Sequence, residues 1–170
     1  TGKIEFGPYD GGFLGDQFYG GKILMNVITE SKLGPRGLYQ LDTNTGQVTC
    51  LFKTTDFLQY KDNWFGKDDP IMWSFTHSKY SVDGSFLAFT VDSGPGGGQH
   101  LFICRADGTE LKIWNKLEKD IGADKPLHFL WYDTDTFCGV DQDTEDMTPN
   151  NLYVKRWDRF GSYIEILAGP

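Results

Sequence analysis

Three copies of one pattern run through the 170 residues of this chain, and this repetition limits the possible folds more than any other feature. The copies occupy about residues 11–52, 76–114 and 127–167. Each copy contains four short apolar segments, with a turn after the first, a longer loop after the second and a turn after the third. Self-similarity of this kind is the signature of a repeat architecture.

The spacing within the copies is nearly constant. The first turn and the aromatic residue of the third segment are 18 residues apart in two copies, from Gly21 to Tyr39 and from Gly84 to Phe102. In the third copy the same distance is 19 residues, from position 134 to position 153. The copies differ mainly in their connections, where insertions are tolerated, so we expect them to share one structure.

The turns have the chemistry of β-hairpins. Asp83-Gly84 and Asp107-Gly108 each separate two alternating apolar runs, and Asp-Gly is a strong hairpin signal. Aromatic residues make up 15% of the chain and 21 of the 170 residues are Gly, which favours strands joined by tight turns. No stretch shows a sustained helical period.

Four antiparallel strands in about 40–50 residues form one blade of a β-propeller. The sequence therefore predicts an all-β fold, a partial β-propeller of about three four-stranded antiparallel blades, extending over residues 1–170. Three blades do not close a ring, because propellers use roughly four to eight. We expect this chain to be a fragment of a ring of about six to eight blades, with the remaining blades supplied by the same or another chain.

The charge of the chain excludes two classes of partner. It carries 24 acidic and 16 basic residues, a formal net charge of −8. This argues against nucleic acid, whose phosphates need a basic surface, and against an anionic membrane surface. No apolar run approaches the about 20 residues of a membrane-spanning helix, and no signal peptide is apparent.

The cysteines indicate a protein without a disulfide framework. Cys50, Cys104 and Cys138 are odd in number, widely spaced and set in apolar surroundings, so we expect buried free thiols. Free thiols favour a reducing compartment, and hence the cytoplasm slightly over the periplasm.

The second and third copies resemble a known family. The second copy contains Tyr80-Ser81-Val82-Asp83-Gly84, then Leu87-Ala88-Phe89-Thr90, Leu101-Phe102-Ile103-Cys104 and Ala106-Asp107-Gly108. This order resembles the repeat of TolB-like β-propellers, with Val82 in place of the usual Pro. Residues 127–141, LHFLWYDTDTFCGVD, look like the adjoining blade of oligogalacturonate lyases. The resemblance covers roughly residues 70–167.

Blade topology places the longer connections together at one end, the long-loop face, where binding groups tend to gather. His77 and His128 are expected at this end, at the starts of neighbouring inner strands, each six residues before its turn. Their rings would then meet at the mouth of the central channel. The connections concerned are residues 29–36, 53–75, 93–99, 115–126 and 142–150.

Two imidazoles in this position would suit catalysis or metal binding, because His is a common transition-metal ligand and a base near neutral pH. The resemblance implies a divalent metal, Mn or similar, bound by His77 and His128 and by ligands from other blades. It also implies β-elimination on uronate-containing oligosaccharides, in which a base removes the proton α to the carboxylate and a cation stabilises the charge. The alternative is that both His are hydrogen-bonded packing residues.

Other residues are expected to contribute to binding at the same face. The rings of Trp73, Trp131 and Tyr132 could stack on sugars, although packing within the blades is the alternative. Arg36, in one of the longer loops, is a further candidate for binding an oligosaccharide or a protein ligand. The acidic run at 141–146 lacks the Gly and Glu of an EF-hand loop and is predicted to be solvated. The rival function is a non-catalytic TolB-like module that binds a protein or glycan.

Overall fold

The computed structural model describes residues 12–28, 30, 33–60, 74–92, 99–114, 129–142, 152–160 and 162–168. Within these residues the chain forms three four-stranded antiparallel sheets. The strands are β1 (Gly12–Tyr19), β2 (Lys22–Val27), β3 (Gly37–Asp42), β4 (Val48–Lys53), β5 (Ser74–Tyr80), β6 (Phe86–Asp92), β7 (Gln99–Arg105), β8 (Lys112–Ile113), β9 (Phe129–Trp131), β10 (Thr136–Gln142), β11 (Leu152–Asp158) and β12 (Tyr163–Ala168).

Each sheet is built from four strands that follow one another along the chain, β1 to β4, β5 to β8 and β9 to β12. This is the strand order of a propeller blade. The predicted fold class, an all-β partial β-propeller of about three blades, is therefore confirmed. We number the sheets blades 1 to 3. The blade boundaries, the size of the ring and the source of its other blades stay predictions.

The chain divides into two compact units. Unit 1 contains residues 1–78 and 89–100, and unit 2 contains residues 79–88 and 101–170. No helix in the described part of the chain is long and apolar enough to cross a bilayer.

A short 3-10 helix, Thr54–Tyr60, follows β4. The sequence did not indicate it, because seven residues are too few for a periodic signal. The ring of Phe57 is buried and meets Phe52 and Phe75 edge-on, with centroids 5.9 and 5.5 Å apart. The N–H of Lys53 donates to Asp56 Oδ2 at 2.7 Å. A buried ring and a carboxylate acceptor therefore fix this connection.

An aspartate anchors each of five tight turns in the same way. Its Oδ1 accepts hydrogen bonds from backbone N–H groups two to four residues further on, as in Asx turns. The φ angles of Gly84 and Gly108 are 72° and 87°, a region that Gly enters without a steric penalty. The predicted hairpin turns at Asp83-Gly84 and Asp107-Gly108 are therefore confirmed. The five anchors are Asp42, Asp83, Asp107, Asp133 and Asp158.

One backbone hydrogen bond joins the two tight turns of each blade and shows that the three blades are built alike. The bonds are Thr43 N to Gly21 O at 2.7 Å, Ala106 N to Ser85 O at 3.0 Å and Arg159 N to Asp135 O at 2.8 Å. Both turns of a blade therefore lie at the same end of the sheet, which we call the turn end.

Among the described residues of unit 1, apolar side chains form two groups. One lies on a face of blade 1, where β2 and β3 pair Met25 with Tyr39, and it also contains Val27 and Leu41. The other is a group of four rings in mutual contact, with centroids 5.2 to 6.0 Å apart: Phe52, Phe57, Phe75 and Phe89.

Unit 2 has a core made largely of aromatic rings. Phe137 lies 4.0 Å from Trp131 and 6.0 Å from Trp114, centroid to centroid. The indole N–H of Trp114 donates to Asp158 O and that of Trp131 to Lys79 O, both at 3.1 Å. The polar atoms that these large rings bring into the core are thus satisfied. The cluster consists of Phe86, Ala88, Leu101, Ile103, Trp114, Phe129, Trp131, Phe137 and Trp157.

All three cysteines are free, as predicted. Cys104 is buried, whereas Cys50 and Cys138 are only half-buried. The expectation of full burial therefore holds for one thiol of the three.

Candidate functional site

His77 lies within β5, at its fourth residue, and not at the start of the strand as expected. Its φ is 49°, a left-handed conformation that costs a non-Gly residue about 1–2 kcal/mol. Buried and less buried residues alternate along β5, and at His77 this alternation shifts by one residue. Phe75 is buried before it, and Ser78 and Tyr80 are buried after it. One extra residue in a strand is the pattern of a β-bulge, which redirects a side chain and is frequent beside active sites.

The second predicted histidine, His128, and the predicted binding residue Trp73 lie outside the described residues. The convergence of His77 and His128 at a channel mouth therefore stays a prediction. Among the side chains that the structure describes, no three His, Cys, Asp or Glu residues are grouped so that they could hold a metal ion. The divalent metal stays a prediction as well.

The structure places the aromatic pair of blade 3 differently from the expectation. Trp131 is 8% exposed and belongs to the core of unit 2. Tyr132 is 52% exposed and lies in the turn between β9 and β10, with its N–H donating to Thr136 O at 2.9 Å. That turn belongs to the turn end, because its Asp135 O accepts the cross-turn bond from Arg159 N. A binding role for either residue at the long-loop face has no support from these positions.

Arg36 directly precedes β3 and is half-buried. Its carbonyl oxygen accepts a hydrogen bond from Thr54 N at 3.2 Å. This bond ties the loop before β3 to the residue that follows β4. The role of Arg36 in binding stays a prediction.

The described residues show a cleft of about 240 Å³ at the turn end of unit 2. Its walls come from the first residue of β6, the end of β7, the short strand β8 and the turn between β11 and β12. We call it the turn-end cleft. Its apolar lining is Phe86, Ile103, Cys104, Ile113 and Phe160, and its charged lining is Arg105, Glu110, Lys112 and Arg159.

Cations and aromatic rings alternate around the turn-end cleft. The guanidinium carbon of Arg159 lies 4.4 Å from the ring centroid of Phe86 and 5.0 Å from that of Phe160. Arg105 approaches the Phe86 ring to 4.7 Å, and the Lys112 ammonium lies 6.0 Å from the Phe160 centroid. Each contact is within cation–π range, so the rings help to hold the charged groups in place.

Two of the three cations are paired with carboxylates. Arg105 Nε lies 3.2 Å from Glu110 Oε2, and Arg159 Nη1 lies 2.8 Å from Asp135 Oδ1. Glu110, which borders this cleft, has a φ of 55°. Like His77, it is a non-Gly residue with a left-handed backbone. Lys112 has no carboxylate partner among the described side chains.

Two ionisable groups at the turn-end cleft have shifted pKa values. Burial raises the pKa of the Cys104 thiol to about 12, so this wall of the cleft carries no thiolate. Hydrogen bonds from the side chain and backbone of Thr109 lower the pKa of Asp107 in the adjacent turn.

Sequence reasoning missed the turn-end cleft, because its walls are distant in the chain. One local signal was present: Phe160 interrupts the polar turn sequence Asp158-Arg159-Phe160-Gly161-Ser162. A single apolar residue at the surface is common, however, and does not by itself indicate a site.

Comparisons with known proteins assign no function to this chain. No family model and no curated protein matches the chain. It is similar to a solved structure assigned as TolB from Agrobacterium tumefaciens, with a TM-score of 0.48 and 18% sequence identity. The likeness covers 88% of this chain and 46% of that protein, so the chain spans about half its length. At this identity the likeness concerns the fold alone.

Proposed function

We propose that this chain is part of a β-propeller that binds uronate-containing oligosaccharides at its long-loop face, with His77 as the base of a β-elimination. The observation that carries the proposal is the left-handed backbone of His77 inside a strand. A non-Gly residue keeps such a conformation only where its surroundings hold it, and such residues cluster at active sites. The substrate class comes from the resemblance of residues 127–141 to oligogalacturonate lyases.

The chemistry requires a base and a cation. A neutral imidazole can accept the proton α to the uronate carboxylate near pH 7. The electron pair of that C–H bond becomes the new double bond, and the glycosidic oxygen leaves with its bonding pair and takes a proton from water. Arg36 is the candidate cation for the carboxylate. Within the described residues His77 is the only predicted metal ligand and no metal-binding group is assembled, so no step here passes through a metal.

The test is to incubate the protein with an oligogalacturonate trimer and Mn²⁺ and to follow the ultraviolet absorbance of the unsaturated product. His77→Ala should lower the rate at least about a hundredfold, the usual contribution of a general base. His77→Gly removes the same base but accepts the left-handed backbone without strain, so it should be folded and equally inactive. His100→Ala, a histidine in β7, is the matched control and should keep full activity.

Two results would contradict the proposal. The wild-type protein could form no unsaturated product, or His77→Gly could retain the wild-type rate. Either result would leave the backbone of His77 as a purely structural feature.

The second candidate is a non-catalytic module that binds a protein or glycan. It is favoured by the positions of Trp131, in the core, and Tyr132, at the turn end, because these rings do not form a sugar platform at the long-loop face. Calorimetry separates the candidates: oligogalacturonate that binds without product formation supports the module, whereas product formation supports the lyase.

A further inference from the structure

We infer that the turn-end cleft is a docking site for an acidic segment of a partner protein, in which an apolar side chain enters the cleft and a neighbouring carboxylate pairs with Lys112. The inference concerns the opposite end of the blades from the long-loop face and does not rest on the proposed lyase activity.

Lys112 supplies the charge that a partner can use. Arg105 and Arg159 already pair with Glu110 and Asp135, whereas Lys112 faces the Phe160 ring at 6.0 Å and has no carboxylate among the described residues. A carboxylate arriving beside a ring-supported ammonium would form a charge-assisted hydrogen bond, which is about twice as strong as a neutral one.

Phe160 supplies an apolar surface that the protein itself does not cover. Its side chain is 65% exposed although it is one of the larger apolar residues of the chain. The turn that presents it is fixed, because the N–H groups of Phe160 and Ser162 both donate to Asp158 Oδ1 at 2.8 Å. Aromatic residues, Phe among them, are enriched at protein interfaces relative to the rest of the surface.

The volume of the cleft fits one side chain. Clefts for whole small-molecule ligands usually measure about 300–1,000 Å³, and this one measures about 240 Å³. Its walls are apolar at Phe86, Ile103 and Ile113, and Glu110 is the one side-chain carboxylate in the lining. An apolar side chain that enters the cleft would bury its surface against these walls.

The sign of the charge selects an acidic partner. The lining contains three cations and one carboxylate. Glu110 and Asp135 pair with two of the cations, so the charge left for a partner is the positive charge of Lys112, although the chain as a whole carries a net charge of −8. Basic partners would be attracted by the rest of the surface but repelled at the cleft. Complementary charge at a small cleft favours the correct partner and its orientation.

Fluorescence anisotropy with a labelled peptide tests the inference. The probe is a capped peptide of sequence Gly-Glu-Glu-Phe-Glu-Glu-Gly, and the control peptides replace Phe by Ala or every Glu by Lys. We expect binding of the probe alone, weaker at high salt because exposed charges are screened. Lys112→Met and Phe160→Ser should each weaken binding about tenfold. Lys53→Met removes an exposed lysine of β4 and should bind as the wild type does.

The thermal midpoint of each variant verifies folding, and both substituted side chains lie on the surface. The inference is overturned if Lys112→Met binds as tightly as Lys53→Met, or if the Ala peptide binds as tightly as the Phe peptide. It is also overturned if monomeric galacturonate displaces the probe, because the cleft would then be a sugar site. Activity on oligogalacturonate should be unchanged in Lys112→Met, so a failure here is distinct from a failure of the proposed lyase function.

Discussion

Blades 2 and 3 share one arrangement of their turn ends but place different side chains on it. Ala106 in blade 2 and Arg159 in blade 3 donate the equivalent backbone hydrogen bond, to Ser85 O and Asp135 O. The side chain of Ala106 is a methyl group. The guanidinium of Arg159 pairs with Asp135 and contacts rings of both blades. One side chain at an equivalent position thus contributes much of the turn-end cleft.

The same hydrogen bond also corrects the alignment of the third copy. Phe102 lies four residues before Ala106, and the residue four before Arg159 is Lys155. The equivalent of Phe102 is therefore Lys155 and not position 153, as the sequence spacing implied. The turns of the copies differ in length, so counting from one turn to the next strand shifts the register.

The largest expected effect tests whether the two blades share one core. Phe137 and Leu87 each lie two residues after the acceptor of the cross-turn bond, and both are buried. Of the two, Phe137 belongs to the aromatic cluster that both blades form, and Leu87 does not. Phe137→Ala should lower the free energy of unfolding by about 3–5 kcal/mol and Leu87→Ala by about 2–5 kcal/mol. Val82→Ala, at a position 61% exposed, should change it by less than about 0.5 kcal/mol. Urea unfolding measures all three, and a cost for Phe137→Ala no larger than that of the control would refute the shared core.

A smaller effect is expected when the blade 3 turn is made to resemble that of blade 2. Arg159→Ala removes an ion pair and two ring contacts but keeps the backbone N–H that bonds to Asp135 O. The loss in the free energy of unfolding should be about 1 kcal/mol, because exposed ion pairs and cation–π contacts are weak. A cooperative unfolding transition with a loss above about 3 kcal/mol would show that the guanidinium, and not the backbone bond, holds the turn.

The smallest effect concerns the anchor of the first turn of blade 2. Hydrogen bonds from the backbone and hydroxyl of Ser85, and from the Ser81 hydroxyl, lower the pKa of Asp83 from 3.8 to about 2. A carboxyl group whose pKa is lowered by folding stabilises the protein above its unfolded pKa, and this contribution is lost as the pH falls from about 4 to about 2. In Asp83→Asn, the free energy of unfolding should therefore fall less steeply than in the wild type as the pH is lowered from about 4 to about 2. Denaturant titrations at several pH values measure this. The same pH dependence in the variant and the wild type would show that ionisation of Asp83 is not linked to folding.

The blades and their turns could be predicted from the sequence because both depend on neighbouring residues. The Asp-Gly pairs at 83–84 and 107–108 carry their own acceptor and their own left-handed residue, and the alternation of apolar residues marks the flanking strands. The free state of the three thiols followed from their number and spacing.

Only the tertiary structure decided the position of side chains that depend on distant partners. Tyr132 lies at the turn end because β9 is only three residues long, and the left-handed backbone of His77 inside β5 was announced by no local motif. Likewise, the cleft exists because Arg159 reaches Phe86, 73 positions earlier in the chain. Short-range sequence patterns encode hydrogen bonds between neighbours, whereas contacts across sheets depend on strand length and register, which the packed core sets.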